Sequence, residues 1–298
     1  MKHVVSVSIG SSKRDHKVEV DILGERMLIE RHGTDGDIGR AINLIKELDG
    51  KVDAFGMGGI DLYLCCCGRR YTMRDAKKIL VAAQKTPILD GSGLKNTLER
   101  RIISQLAKDT IDFCGKNVLV TAGVDRFGMA EALEKTKCNL LLGDLIFALG
   151  IPIPIRSVKS LSRYARVLAP LISQLPFSII YPTGHNQDKT TPKHGKFFKW
   201  ADIIAGDFLF IKHYMPEDLK GKVIITNTTT AEDVEELKER GLKMLVTTTP
   251  ELSGRSFGTN VMEAALVAAS GKVELTTDEY LSLLEKLKFE PRVVKFEE

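Results

Sequence analysis

Short β-branched apolar runs alternate with segments of helical spacing along most of the chain, most clearly from Asn117 to Asp144. Val118 to Val120 is an apolar run that Gly123 breaks; Phe127, Met129, Ala130 and Leu133 then follow helical spacing, and Leu140 to Leu142 is a second run. The pattern predicts strand, glycine turn, helix and strand, closed by Asp144. It continues with strands near 118, 140, 178, 203, 223 and 245, each pair separated by helical sequence. Strict alternation of this kind predicts a Rossmann-like doubly wound parallel sheet, which binds ligands at its carboxyl edge, where strand order reverses.

The first third reads differently. Val4 to Ile9 is a strand, and Lys17 to Ile22 with Arg26 to Glu30 predicts a hairpin about Gly24. Ile38, Ala41, Ile42, Ile45 and Leu48 share one helical face, with Asp35 and Asp37 placed to cap it. Val52 to Phe55, a hairpin through the consecutive cysteines, a helix over 74–84 and a strand over 86–89 follow. The fold class is therefore α/β, divided into an N-terminal α/β substrate domain over residues 1–112 and a Rossmann-like nucleotide-binding domain over 113–275. A C-terminal helix and tail, 276–298, is expected to return toward the first domain.

Composition narrows the function classes. With 43% apolar and 28% charged residues and no apolar run long enough to span a bilayer, the chain reads as a soluble protein. The opening MKHVVSVSIG enters a strand and shows no signal-peptide pattern, so a cytoplasmic location is expected. A net charge of +4 suits a small anionic metabolite and is too weak for nucleic acid; a homo-oligomer is compatible with everything above. The five cysteines form no C-x-x-C and read as reduced thiols. His185 and His194 lack zinc-type spacing and a third ligand, so no metal is expected, although either could act as a base or contact an anion.

The candidate chemistry sits just after the strands. Gly123 would allow a sharp turn and Gly128 a close helix start, while Asp144 stands where dinucleotide-binding units place an acid for a ribose hydroxyl. Asp125 occupies the middle glycine position of that pattern, where a carboxylate repels a pyrophosphate unless Arg126 offsets it. Asn227, Thr228 and Thr248 lie in threonine-rich strand ends that suit a nicotinamide amide or a polyhydroxylated ligand, or simply suit strands and a helix cap at Thr230. Thr183 and Asp207 share the same predicted edge. In the first domain, Asp90-Gly-Ser92-Gly-Leu-Lys95 joins a strand to a helix start, an arrangement that receives anions; Ser92 is a candidate substrate contact and Lys95 a candidate acid or base. Arg255 could clamp a carboxylate or a phosphate, or lie free in a loop.

Taken together, VSIGSSKRDHKVEV, DAFGMGGIDLY, DGSGLKNTLERR, GDLIFALGIPIPIR, ITNTTT and GRSFGTN resemble the bacterial quinate 5-dehydrogenase group, within the shikimate/quinate dehydrogenase class. The resemblance covers nearly the full length. It implies an N-terminal substrate domain with a lysine–aspartate catalytic pair, for which Lys95 is the nearest lysine, and a C-terminal nicotinamide-binding domain. Lys95 lies outside that class's asparagine–valine–threonine context, and no aspartate is assigned as its partner. The expected function is hydride transfer between NAD, favoured over NADP by Asp144, and a carboxylated hydroxy compound. The alternative is a non-redox protein, transferase or sensor, that holds an adenosine-containing or sugar-like metabolite in the same cleft.

Overall fold

The computed structural model describes residues 1–66, 68–177, 191–249, 251–252, 255–256 and 258–296, and within 251–257 it describes backbone alone. The chain divides into two compact units. One comprises Met1–Thr97, Leu168–Gln187 and Gly258–Phe289; the other comprises Leu98–Val167, Asp188–Phe257 and Glu290–Glu298.

The first unit is built on β1 (Lys2–Ser8), β2 (His16–Ile22), β3 (Glu25–Gly33), β4 (Ala54–Gly58) and β7 (Ile88–Leu89), in spatial order β2-β3-β1-β4-β7. β3, β1, β4 and β7 run parallel, and β2 closes one edge antiparallel to β3, as the hairpin about Gly24 predicts. A small hairpin of β5 (Tyr63–Cys66) and β6 (Arg69–Thr72) follows β4. Helix α1 (Ile38–Leu48) forms where the apolar spacing places it: Asp37 accepts the Arg40 amide at 2.9 Å, and Ala41 and Ile45 turn inward. Asp35 does not cap that helix; its carboxylate accepts the Ser12 amide at 2.7 Å. Helix α2 spans Ala76–Ala82. Val5, Val7, Phe55, Met57, Ala41, Ile45 and Ile79 make one continuous core.

Helices α9 (Thr259–Ser270) and α10 (Thr277–Lys286) complete this unit. α9 is apolar nearly all round, so it can only be a buried helix, and it lies against β1 and β4. Its single carboxylate, Glu263, is buried with it. α10 opens with a capping box between Thr276 and Glu279.

In the second unit β8 (Asn117–Val120), β9 (Asn139–Leu142), β10 (Ile203–Gly206), β11 (Val223–Thr226) and β12 (Met244–Thr247) run parallel in the order β9-β8-β10-β11-β12. β15 (Arg292–Lys295) pairs antiparallel with β12. Strand order reverses at β8, which has β9 on one side and β10 on the other. Helices α4 (Phe127–Lys135), α6 (Gly195–Trp200), α7 (Phe208–Tyr214) and α8 (Ala231–Glu239) connect these strands. A short π-helical turn, Asp144–Ala148, precedes α5 (Val158–Ile172), and β13 (Glu251–Leu252) with β14 (Arg255–Ser256) forms a two-stranded ribbon. Of the strand expected over 177–181, only Phe177 lies within the described residues. Leu119, Ile204, Phe208, Ile211, Ile224, Leu237 and Leu245 pack the core. Helix α3 (Ser92–Asp109) begins in the first unit and ends in the second, and repeats buried Leu94, Leu98, Ile102 and Leu106 every fourth residue.

The chain is thus α/β with two mixed sheets. Ile224, fully buried on β11, measures what its core contributes. Ile224→Ala is expected to cost about 2–5 kcal/mol of unfolding free energy in urea, read by fluorescence; a cost under about 1 kcal/mol would show that the core relaxes into the space.

Candidate functional site

The carboxyl edge of the second sheet, at the strand-order reversal, holds the turn that sequence marks for a dinucleotide. The Gly123 and Val124 amides do point at a carboxylate, but it belongs to the chain: they donate to the two oxygens of Asp144 at 3.0 and 2.8 Å. Asp144 is half-buried, and desolvation of its carboxyl pushes it up to about 6 even though those two amides favour the charged form. A Cβ on Gly123 would stand 3.1 Å from the Asp144 oxygen, so glycine here admits that carboxylate. With both oxygens engaged by the turn, Asp144 acts as its internal counter-ion.

Arg126 is the second filled position. Its guanidinium, 2% exposed, binds Glu99, Asp125 at 3.1 Å and Asp207 at 3.0 Å. Burial alone would lower its pKa, but the three carboxylates raise it further above its usual range. Asp207 also caps α7 through the Leu209 and Phe210 amides and accepts the Asn227 amide at 2.8 Å. The Asn227 side-chain oxygen, Oδ1, in turn accepts the Phe208 amide and the Thr226 hydroxyl. The threonine-rich strand ends lock on each other: Thr249 donates to the Asn227 carbonyl at 2.7 Å and the Thr248 amide to the Thr226 carbonyl at 2.7 Å. Thr248 is buried and its hydroxyl has no hydrogen-bond partner, while Thr228 is half-exposed. Gly128 is buried in the first turn of α4.

The carboxyl edge of the first sheet is arranged differently. Asp61, three residues beyond β4, and Lys95, in the second turn of α3 beyond β7, meet at 3.2 Å; their side chains are 20% and 8% exposed. β4 and β7 are neighbours in the sheet, so a cation and a carboxylate meet at the ends of adjacent strands. Asp90 fixes the surrounding turn by accepting the Leu62, Tyr63 and Ser92 amides at 2.7, 3.0 and 3.0 Å. The start of α3 is filled too: Glu263 accepts the Leu94 amide at 3.2 Å and the Tyr280 hydroxyl at 2.6 Å. A Cβ on Gly93 would fall 2.3 Å from that carboxylate oxygen, which is why the position is glycine. Burial, and then Asp90, push the Glu263 carboxyl up to about 7.

Lys95 and Ser92 therefore share one edge with Asp61. Gly123, Asp125, Arg126, Asp144, Asn227 and Thr248 share another, where their polar groups largely satisfy one another. Arg255 lies in β14, with its side chain outside the described residues, as are Thr183 and His185. His194 precedes α6 and packs edge-on against Phe147. Cys65, Cys114 and Cys138 are free, and burial raises the Cys65 thiol away from reactive thiolate. Sequence reasoning missed Asp61, Glu99, Glu263 and Tyr280. For Glu263 a signal existed: one acid within VMEAALVAAS has to find a buried partner.

A family model described as a domain of unknown function (DUF8754) matches residues 93–296, and a second such domain (DUF8753) matches residues 3–90. No curated protein matches the chain. Among solved structures, a galactofuranose-binding protein is similar at 12% identity over 97% of this chain and 99% of its own, with a TM-score of 0.36. A carbohydrate-transporter solute-binding protein from Agrobacterium radiobacter, in complex with D-arabinose, is 11% identical over 99% of this chain and 94% of its own, with a TM-score of 0.38. A periplasmic ribose ABC transporter protein from Conexibacter woesei is 10% identical over 95% of each chain, with a TM-score of 0.38. These findings correct the resemblance to quinate and shikimate dehydrogenases, and with it the expectation of a nicotinamide-dependent oxidoreductase. Neither family model is described as a dehydrogenase, and the three similar structures named above are described as sugar-binding or sugar-transport proteins.

Two substitutions test the filled edge of the second sheet. Arg126→Met leaves Glu99 and Asp207 without their cation and is expected to cost about 3–5 kcal/mol in urea unfolding; a loss below about 1 kcal/mol would mean that the cluster is solvated. Asp144→Asn removes one of two acceptors for the turn amides and is expected to cost about 1–3 kcal/mol. Unchanged stability would return Asp144 to the role of a ligand contact.

Proposed function

This chain belongs to the family described as a domain of unknown function (DUF8754), and from that premise we propose that it is a non-redox protein that binds a small polyhydroxylated, sugar-like metabolite at the carboxyl edge of its first sheet. The observation that carries this reading is the Lys95–Asp61 pair at 3.2 Å. A nearly buried lysine–carboxylate pair is a poor device for stability, because desolvation offsets most of its attraction. It is a good device for recognition. The ammonium donates and the carboxylate accepts, the complement of two neighbouring hydroxyls on a sugar ring.

The polar groups of the second sheet's edge support the non-redox part of the reading. The amides that a pyrophosphate would need are donated to Asp144, and the arginine that would offset Asp125 is held by three carboxylates. The reversal of strand order at β8 supports reading the second unit as a Rossmann-like, doubly wound sheet whose ligand edge has been filled by its own side chains. An acidic sugar suits Lys95 as well as a neutral one does. A nucleoside presents the same adjacent hydroxyls on its ribose, so an adenosine-containing ligand is a second reading of the same pair.

A thermal-shift screen separates these readings. D-ribose, D-arabinose, D-galactose, D-glucuronate, adenosine and NAD are each added at millimolar concentration. At about 100-fold excess over Kd a ligand adds about 2.7 kcal/mol, a rise of several degrees in Tm. A sugar is expected to give that rise, and Lys95→Met and Asp61→Asn are each expected to abolish it. A screen in which no sugar or nucleoside moves Tm, or a shift that survives both substitutions, contradicts the proposal.

A further inference from the structure

Glu263 on α9 and Tyr280 on α10 are buried and have no role in the binding just described. Glu263 is 3% exposed; one oxygen takes the Leu94 amide and the Tyr280 hydroxyl, and the Gly91 amide also favours the charged carboxylate. The amide it holds belongs to the residue just before Lys95, and Gly93 lies against the same oxygen. The carboxylate thus grips the first turn of α3, the turn that sets where the Lys95 side chain begins. The charged and titratable groups acting on it are Asp90 from the β7 turn and Tyr280. Tyr280 is itself under Glu274 and Arg70.

We propose that Glu263 is a proton-controlled positioning residue for the Lys95–Asp61 site: ionised, it holds the α3 turn that aims Lys95 at Asp61, and protonated, it slackens that hold. This rests on the reading of Lys95–Asp61 as the binding pair. A charged acceptor makes the stronger hydrogen bond to the Leu94 amide, so losing the charge loosens the turn without unfolding it. Glu263 carries its proton up to about pH 7, against 4.5 for a free glutamate. Between those values the folded chain keeps a proton that the unfolded chain has lost. Ionisation of Glu263 therefore lowers stability as pH rises from 4.5 to 7. Binding at Lys95–Asp61 is expected to strengthen through the same window in which this contribution to stability weakens.

Hydrogen exchange at the Leu94 amide, corrected for intrinsic rate, and the nitrogen signal of Lys95 Nζ in lysine-labelled protein are followed from pH 5 to 9, with D-ribose affinity measured by calorimetry at pH 6 and pH 8. In the wild type both signals are expected to titrate together with a midpoint near 7, and affinity to rise roughly fivefold toward pH 8, the ratio between charge-assisted and neutral hydrogen bonds. Glu263→Gln is expected to flatten all three and to gain in Tm over the wild type as pH rises. Tyr280→Phe, which removes a donor to the carboxylate, is expected to move the midpoint upward and keeps the test open should Glu263→Gln fold poorly. Leu94 titrating while Lys95 stays fixed would overturn the proposal and leave Glu263 as a helix cap. Both signals titrating with no D-ribose affinity at either pH would uphold the coupling and remove the ligand reading. Affinity rising equally in Glu263→Gln would do the reverse.

Discussion

A buried backbone amide has to be given an acceptor, and this chain supplies its own carboxylates where a ligand would otherwise be needed. Asp144 takes the Gly123 and Val124 amides, and Glu263 takes the Leu94 amide at the head of α3. Desolvation pushes each carboxyl above its usual range, to about 6 for half-buried Asp144 and about 7 for buried Glu263. The glycines that make both turns suggestive, Gly123 and Gly93, leave room for these side chains. The same necessity places Asp90, just beyond β7, on the Leu62, Tyr63 and Ser92 amides, and Asp207 on two at the head of α7.

That constraint decides which polar groups remain for chemistry. In the second unit the guanidinium of Arg126 is surrounded by Glu99, Asp125 and Asp207, and Asn227 is tied to Asp207 and Phe208. In the first unit the turns are fixed by Asp90 and Glu263, and what they hold up is a lysine–aspartate pair at the ends of neighbouring strands. Stability alone gives a weak reason for such a pair, whereas a ligand with adjacent hydroxyls gives a specific one.

Much of the fold is legible in the sequence because it follows from period. Helix α1 forms on its apolar face with Asp37 as cap, the Gly24 hairpin forms, and α8 carries the Thr230–Asp233 capping box. Strands β8 to β12 fall where short apolar runs place them. The site was less legible, because partners distant in sequence decide it. Asp144 stands at the spacing of a ribose acid, yet nothing local to it says that its oxygens are taken by the turn 21 residues earlier. Lys95 stands out in the sequence as a cation at an anion-receiving helix start, while Asp61, its partner 34 residues away, is hidden at the end of a glycine-rich run. Glu263 needed the packing of α9 against the first sheet to become a neighbour of Leu94. A local motif announces a cradle; only the tertiary fold shows what fills it.

Hydrogen exchange of the Gly123, Val124 and Leu94 amides in the ligand-free protein at pH 8 tests this account most directly. All three are expected to be strongly protected with no small molecule present, since their acceptors are side chains of the same chain. Rapid exchange that slows only when a nucleotide is added would show that these turns wait for a ligand, and the account would be wrong at its root.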